Sequence, residues 1–166
     1  MITGGYDSLI NIYTVLRTNS PLHKENKEII TYKFALKGHI NAIKDISVIS
    51  NYTTDQMTKR KNFMMIATCS QDCYIRLWNV VEIKLEDNVK DKSEIFEEYK
   101  TKTSYVLKVD NGKFFNILLD SVLLGHDEPV SSIKWAVENE KLILLSSSFD
   151  FTVGIWRFSD KMVYKY

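Results

Sequence analysis

His126, Ser146 and Asp150 are the three side-chain types of a hydrolase triad. In such a set an imidazole, oriented by a carboxylate, takes the proton of a hydroxyl that attacks an acyl carbon. A second group invites different chemistry. In CSQDCYIRLWN, residues 69–79, Cys69 and Cys73 flank Asp72. Paired thiols beside an acid are the raw material of a metal site or a redox couple. The spacing opposes both readings. Ser146 stands in LLSSSFDF without a flanking glycine, so the sharp turn that exposes a nucleophilic serine is not encoded. Two cysteines with no second Cys/His cluster make no zinc pattern, and free, buried or half-buried thiols are expected. Gly4-Gly5 lacks the residues that follow in a phosphate loop. No catalytic residue, cofactor, metal or small-molecule substrate is expected.

The stronger argument is repetition. LKGHINAIKDISV (36–48) aligns with LLGHDEPVSSIKW (123–135), and IATCSQDCYIRLWN (66–79) aligns without a gap with LLSSSFDFTVGIWR (144–157). A partial copy, MITGGYDSLINIYTV (1–15), opens the chain, with Asp7 in the aspartate slot and Tyr13 in the tryptophan slot. The triad types thus recur as His39, Thr68, Asp72 and Trp78, then as His126, Ser146, Asp150 and Trp156. Active sites seldom repeat within one domain, whereas structural clips do. A turn aspartate is costly to bury unpaired. A histidine can donate to it, a Ser or Thr hydroxyl can bridge to that histidine, and an indole N–H can donate from the next strand. Such a closed network would tie three strands together and leave no buried group unsatisfied. Both cysteines vanish in the second copy while the Asp-to-Trp interval persists, so the thiols are incidental.

The elements that must position these residues read as strands. Apolar residues alternate or form short runs at Ile40–Ser50, Phe63–Thr68, Tyr74–Val80, Val130–Val137, Lys141–Ser146 and Thr152–Phe158, the pattern of half-buried and buried strands. Polar stretches at 18–28 and 51–62 and a longer one at 84–113 lie between them. In the last, Asn111-Gly112 between apolar runs signals a hairpin, and residues 94–100 have an alternative short-helix reading. Composition adds exclusions. A net charge of +1 supplies no global field for nucleic acid or membrane. No apolar run approaches the length that spans a bilayer. The lysines of 84–113 and the Lys59-Arg60-Lys61 run, diluted by acidic or polar neighbours, read as solvated loop faces, as does His23. Asn51-Tyr52-Thr53 matches a glycosylation sequon, but the opening residues carry no secretory signal to give it meaning. Two cysteines make no disulfide framework, so a reducing compartment is the default.

Gly38-His39 and Gly125-His126, with LWN at 77–79 and IWR at 155–157, resemble the WD-repeat β-propeller family. That resemblance implies an all-β fold: a partial propeller of four-stranded antiparallel blades, with two full repeats plus half a blade. Each family repeat runs from the outer strand of one blade through the three inner strands of the next. The implied divisions are a half blade at 1–15, a repeat at 32–80, an insertion with a hairpin at 84–113, a repeat at 114–158 and the start of the next outer strand at 159–166. The terminal Asp of the motif is replaced by Asn79 and Arg157, and Tyr13 stands for Trp in the opening copy. The opening clip is therefore in doubt.

Within the family, ATCSQDCYIRLWNV, the charged insertion, DSVLLGHDEPVSSIKW and the opening TGGYDSLINIYTV are similar to the propeller subunit of a multiprotein assembly that supports modification of tRNA wobble uridines. The resemblance implies a non-catalytic scaffold that bridges a large scaffold subunit and a catalytic subunit, with indirect tRNA association, in the cytoplasm and also the nucleus. Other classes are a WD-repeat adaptor of a different assembly and a propeller that binds nucleic acid or a phospho-ligand directly. Propellers commonly close from about 4–8 blades, so two repeats imply a piece of a longer protein, either an expressed fragment or a truncated gene model. Gln71 and Phe149, just before the repeat aspartates, should project from the ring face as partner contacts.

Overall fold

The computed structural model describes residues 1–18, 27–50, 63–83, 104–109, 112–139 and 141–158. His23, the Asn51 sequon, the 59–61 basic run, the 94–100 segment and residues 159–166 lie outside the described residues.

Eleven strands are described: β1 (Ile2–Gly4), β2 (Ile10–Thr18), β3 (Lys27–Leu36), β4 (Ile43–Ser50), β5 (Phe63–Ser70), β6 (Ile75–Ile83), β7 (Ser104–Lys108), β8 (Phe114–Leu123), β9 (Val130–Glu138), β10 (Lys141–Ser148) and β11 (Val153–Arg157). They form three antiparallel sheets in the orders β1-β2-β3, β4-β5-β6-β8-β7 and β11-β10-β9. The fold is all-β, with the blades of a partial propeller. The outer strand of one blade precedes the inner strand of the next in sequence, so β3 leads into β4 and β8 into β9.

Two departures from simple four-stranded blades have physical reasons. The middle blade gains a fifth strand, because the Ser104–Lys108 segment turns back on Phe114–Leu123. In that connection Gly112 sits at φ +80°, a left-handed conformation that glycine adopts without a Cβ clash. The outer strand β3 begins at Lys27, earlier than the alternation shows. Its Ile29, Ile30 and Tyr32 are all exposed, so no one-face pattern marks the strand's start.

The middle blade is buried on both faces. Ile66, Trp78, Val80 and Ile117 pack with Ile10, Ile12 and Leu36 of the first blade. Ala67, Cys69, Ile75, Leu77 and Leu123 pack with Val130, Ile133, Trp135, Leu142 and Leu144 of the third. The period-2 geometry of a strand sends alternate residues to opposite neighbours, as Leu77 and Trp78 show. Each fully buried Leu or Ile contributes about 1.5–3 kcal/mol. Polar contacts reinforce the joints. Asp45 Oδ2 accepts from Ser132 Oγ at 2.7 Å and from the Ile133 amide at 3.0 Å. Trp135 Nε1 donates to Ser47 O at 3.2 Å. At the perimeter Tyr105 of β7 stacks on Phe34 of β3, with centroids 5.5 Å apart, and its hydroxyl accepts from the Lys37 amide at 3.1 Å.

Candidate functional site

The structure brings each set of four repeat residues together. In the middle blade, His39 lies in the β3–β4 connection, Thr68 on β5, Asp72 in the β5–β6 turn and Trp78 on β6. His39 Nδ1 stands 2.8 Å from Asp72 Oδ2, and its Nε2 stands 3.0 Å from Thr68 Oγ1. Trp78 Nε1 donates to the same hydroxyl oxygen at 3.2 Å. Thr68 and Trp78 are inaccessible to solvent. The third blade repeats this. His126 Nδ1 is 2.8 Å from Asp150 Oδ2, its Nε2 is 2.8 Å from Ser146 Oγ, and Trp156 Nε1 donates to Ser146 Oγ at 2.9 Å.

Chain geometry explains why the aspartate can serve. The residue after each repeat aspartate has positive φ: Ser8 at 64°, Cys73 at 69° and Phe151 at 64°. That left-handed residue tightens the turn, and the carboxylate bonds back to the amide two residues on: Leu9, Tyr74 or Thr152, at 3.1, 3.1 and 2.9 Å. This is the local hydrogen bonding for which aspartate is favoured in turns. A bulge recurs at the aromatic slot, where register shifts between Ile12 and Tyr13 and between Leu77 and Trp78. In the middle blade it falls where the Trp78 ring turns toward the clip.

Electrostatics set the proton positions. Burial holds the His39 imidazole below its ordinary pKa, against the raising influence of Asp72. A neutral ring then donates from Nδ1 to Asp72 and accepts at Nε2 from the Thr68 hydroxyl, leaving that oxygen free to accept the indole N–H. Burial pushes the Asp72 carboxyl up, but His39 and the Ile40 and Tyr74 amides outweigh it and hold it below the usual range. Asp150 is also held below the usual range, chiefly by the Thr152 hydroxyl, which donates at 2.6 Å; desolvation opposes this, and His126 with the Thr152 and Asp127 amides adds to the lowering.

The connectivity Asp150–His126–Ser146 matches a triad on paper, and its surroundings disarm it. Ser146 is buried, and its oxygen is already held by an indole donor. A Cβ added at Gly154 would lie 2.5 Å from Ser146 Oγ, so even a methyl does not fit beside it. A nucleophile needs space for an acyl carbon and an unengaged lone pair. The third blade's set is therefore a clip, as is its copy in the middle blade.

The opening copy has the turn but not the network. Asp7 is exposed and bonds locally to Leu9. No histidine reaches it among the described residues, and Tyr13 stacks edge-on against Tyr32, with centroids 5.6 Å apart. The thiols separate in role. Cys69 is buried between the second and third blades, donates to Val130 O at 3.5 Å, and is pushed by burial to a pKa of about 12. Cys73 occupies the left-handed turn position. Among the described residues no three His, Cys, Asp or Glu side chains gather as metal ligands. Gln71 and Phe149 both stand exposed in their turns, Phe149 at 61%.

Several contributors escape sequence reasoning. Ser70 Oγ donates to Asn41 O at 2.9 Å and accepts from the Asp72 amide at 3.1 Å. Ser148 holds Glu128 O and the Asp150 amide in the same way, at 2.9 and 3.2 Å. The signal was present, since both aligned copies carry Ser two residues before the aspartate. Arg76 Nη1 donates to Asp72 Oδ2 at 3.0 Å. Gly154 occupies its place in the second copy, so alignment hides that role.

Comparison with known proteins follows the same lines. Elongator complex protein 2 of Arabidopsis thaliana is 30% identical over 169 residues, covering 93% of this chain and 18% of that protein. The Schizosaccharomyces pombe protein of that name is 32% identical over 125 residues, covering 75% of this chain and 15% of its own length. The human one is 30% identical over 106 residues, covering 56% and 12%. The chain thus spans less than a fifth of the length of these curated relatives. The profile of "WD40: WD domain, G-beta repeat" matches residues 30–79 and 119–157. These segments hold both four-residue clips, each running from an outer strand through three inner ones, and the chain belongs to the WD domain, G-beta repeat family.

Proposed function

We propose that the chain is part of a non-catalytic propeller scaffold of the Elongator assembly, and that this scaffold bridges the large scaffold subunit and the catalytic subunit, Elongator subunits 1 and 3. In that role it supports modification of tRNA wobble uridines, with tRNA held indirectly, in the cytoplasm and the nucleus. The observation that carries the reading is the paired clip. Its only hydroxyls and imidazoles are consumed in bonds that stiffen adjacent blades, so what remains for function is the surface the clips hold rigid. The name shared by the curated relatives supports the assembly. The near-neutral charge, +1 in all, favours protein partners over direct nucleic-acid binding.

Affinity purification of the tagged chain from its own cells, followed by identification of bound proteins and RNA, tests this. Elongator subunits 1 and 3 are the expected co-purifying proteins, with RNA released when they are stripped away. RNA retained without any Elongator subunit would establish the direct nucleic-acid reading instead.

A further inference from the structure

Four strands complete the middle blade: β4, β5, β6 and β8. The fifth, β7, is added on the outer edge, and among the described residues β8 is its one ladder partner. It covers Phe114–Leu118, half the length of β8. A tight turn joins the two strands, with the Gly112 amide donating to Val109 O at 3.0 Å and the Val109 amide to Lys113 O at 2.9 Å. Alternate residues of β7 reach across the joint toward the first blade. Tyr105 and Leu107 pack against the core that the first and middle blades share. The Tyr105 ring stacks on Phe34 of β3, with centroids 5.5 Å and planes 13° apart, and its hydroxyl accepts from the Lys37 amide at 3.1 Å. Lys37 stands two residues before His39, so this side chain also pins the connection that carries the clip histidine. The hold on β7 is light. Tyr105, Val106 and Leu107 are half-buried and Lys108 is exposed, whereas Ile66 and Trp78 further in are sealed from solvent. A strand paired on one side with few buried contacts opens at a lower free energy than one paired on both.

We propose that β7 is a conformational device, a strap that closes the perimeter of the joint between the first and middle blades and swings off β8 without unfolding either blade. Closed, it holds the β3–β4 connection through Tyr105 and covers the outer edge of β8. Open, it uncovers the Phe34 ring and the Phe114–Leu118 edge and releases the Lys37 amide. The four strands that complete the blade keep their own ladder and both buried faces, because none of their pairings passes through β7. The device is a property of this chain and stands whether or not the assembly reading does.

Native-state hydrogen exchange of the intact chain, read residue by residue in low denaturant, tests this. The β7 amides bonded to β8 should exchange about tenfold or more faster than those of β5, which is paired on both sides. Their rates should hardly respond to denaturant, because a local opening exposes little surface. Tyr105→Ala should speed exchange of β7 and of the Lys37 amide by about tenfold and leave β5 unchanged. Tyr105→Phe keeps the stack on Phe34 and removes the acceptor, so it should speed the Lys37 amide alone. Exchange of β7 and β5 at one rate, with the denaturant dependence of global unfolding, would show that β7 is an integral part of the blade and overturn the proposal. So would an unchanged Lys37 amide in Tyr105→Ala, or protection lost throughout the middle blade of that variant.

Discussion

Asp72 and Asp150 occupy the same slot in two copies of one motif, yet they are not energetically equal. Asp72 is buried and receives His39, Arg76 and two backbone amides. Asp150 lies partly open to water. Asp72→Ala strands a buried imidazole and a guanidinium, and should lower stability by about 3 kcal/mol. Asp150→Ala should cost clearly less, and denaturant titration of both variants checks the order. Cys73 offers the opposite case. It sits at φ +69°, where a Cβ is penalised and glycine is not, so Cys73→Gly should raise stability by about 0.5–1 kcal/mol. An unchanged or lowered melting temperature would show that the thiol contributes a contact worth more than the strain. The clip also predicts a pH response. The folded His39 pKa lies below its ordinary value, so the unfolded chain takes up a proton first. Its contribution is whole above about pH 6.5 and declines as pH falls below that. Asp72 acts at lower pH. Its folded carboxyl is below the usual range, so its contribution is whole above about pH 4 and is lost as pH falls through the folded value. In chemical melts at stepped pH, His39→Gln should flatten the slope between about pH 6.5 and 5 and also weaken the acid limb, because His39 is the first influence holding Asp72 low.

Strands and their joints depend on single polar contacts in ways that periodicity does not reveal. Asp45 lies on β4, yet its carboxylate holds Ser132 and the Ile133 amide on β9, across the gap between blades. Hydrogen bonds to a charged acceptor contribute about 1.5–3 kcal/mol. Asp45→Ala should lose a comparable amount and increase amide hydrogen exchange at Ile133 more than at Ile75. Equal exchange at both amides would show that the apolar joint alone holds the blades. Sequence alternation located β4, β6, β9 and β11 well, because β6 and β9 bury alternate residues in register and β4 and β11 keep one face at least partly half-buried. The start of β3 was illegible because its apolar residues face solvent. The fifth strand followed from the hairpin turn at Gly112 rather than from any alternation in β7.

At the scale of the whole molecule, identical register does not mean identical burial. Leu77 and Ile155 align, but Leu77 is inaccessible between two blades while Ile155 is 52% exposed on the far face of the third. Leu77→Lys should abolish the cooperative melt, since it would place a charge in a dry interface. Ile155→Lys should leave the melting temperature within a few degrees of the parent. If the two variants behave alike in circular dichroism melts, the blades do not stack as described.

The residues alone established the repeat, the all-β class and the membership of both clips, because hydrogen-bond chemistry demands particular side-chain types at particular intervals from a turn aspartate. They also separated the thiols from the motif, since one copy lacks them. Only the tertiary structure decided which hydroxyl accepts the indole and which carboxylate is buried. It alone showed that the residue after each aspartate must bend left-handed, and that Asp45 bonds to the next blade as well as to its own strand. Those facts depend on which faces meet across the gaps between sheets, and a linear alignment of repeats treats every copy as having the same neighbours. Phe149 and Phe151 mark the difference most plainly. In the sequence they are two aromatics beside an aspartate. In the fold they stand exposed beside the preceding connection, because the Phe149 amide and the Ser148 hydroxyl seat the turn on it.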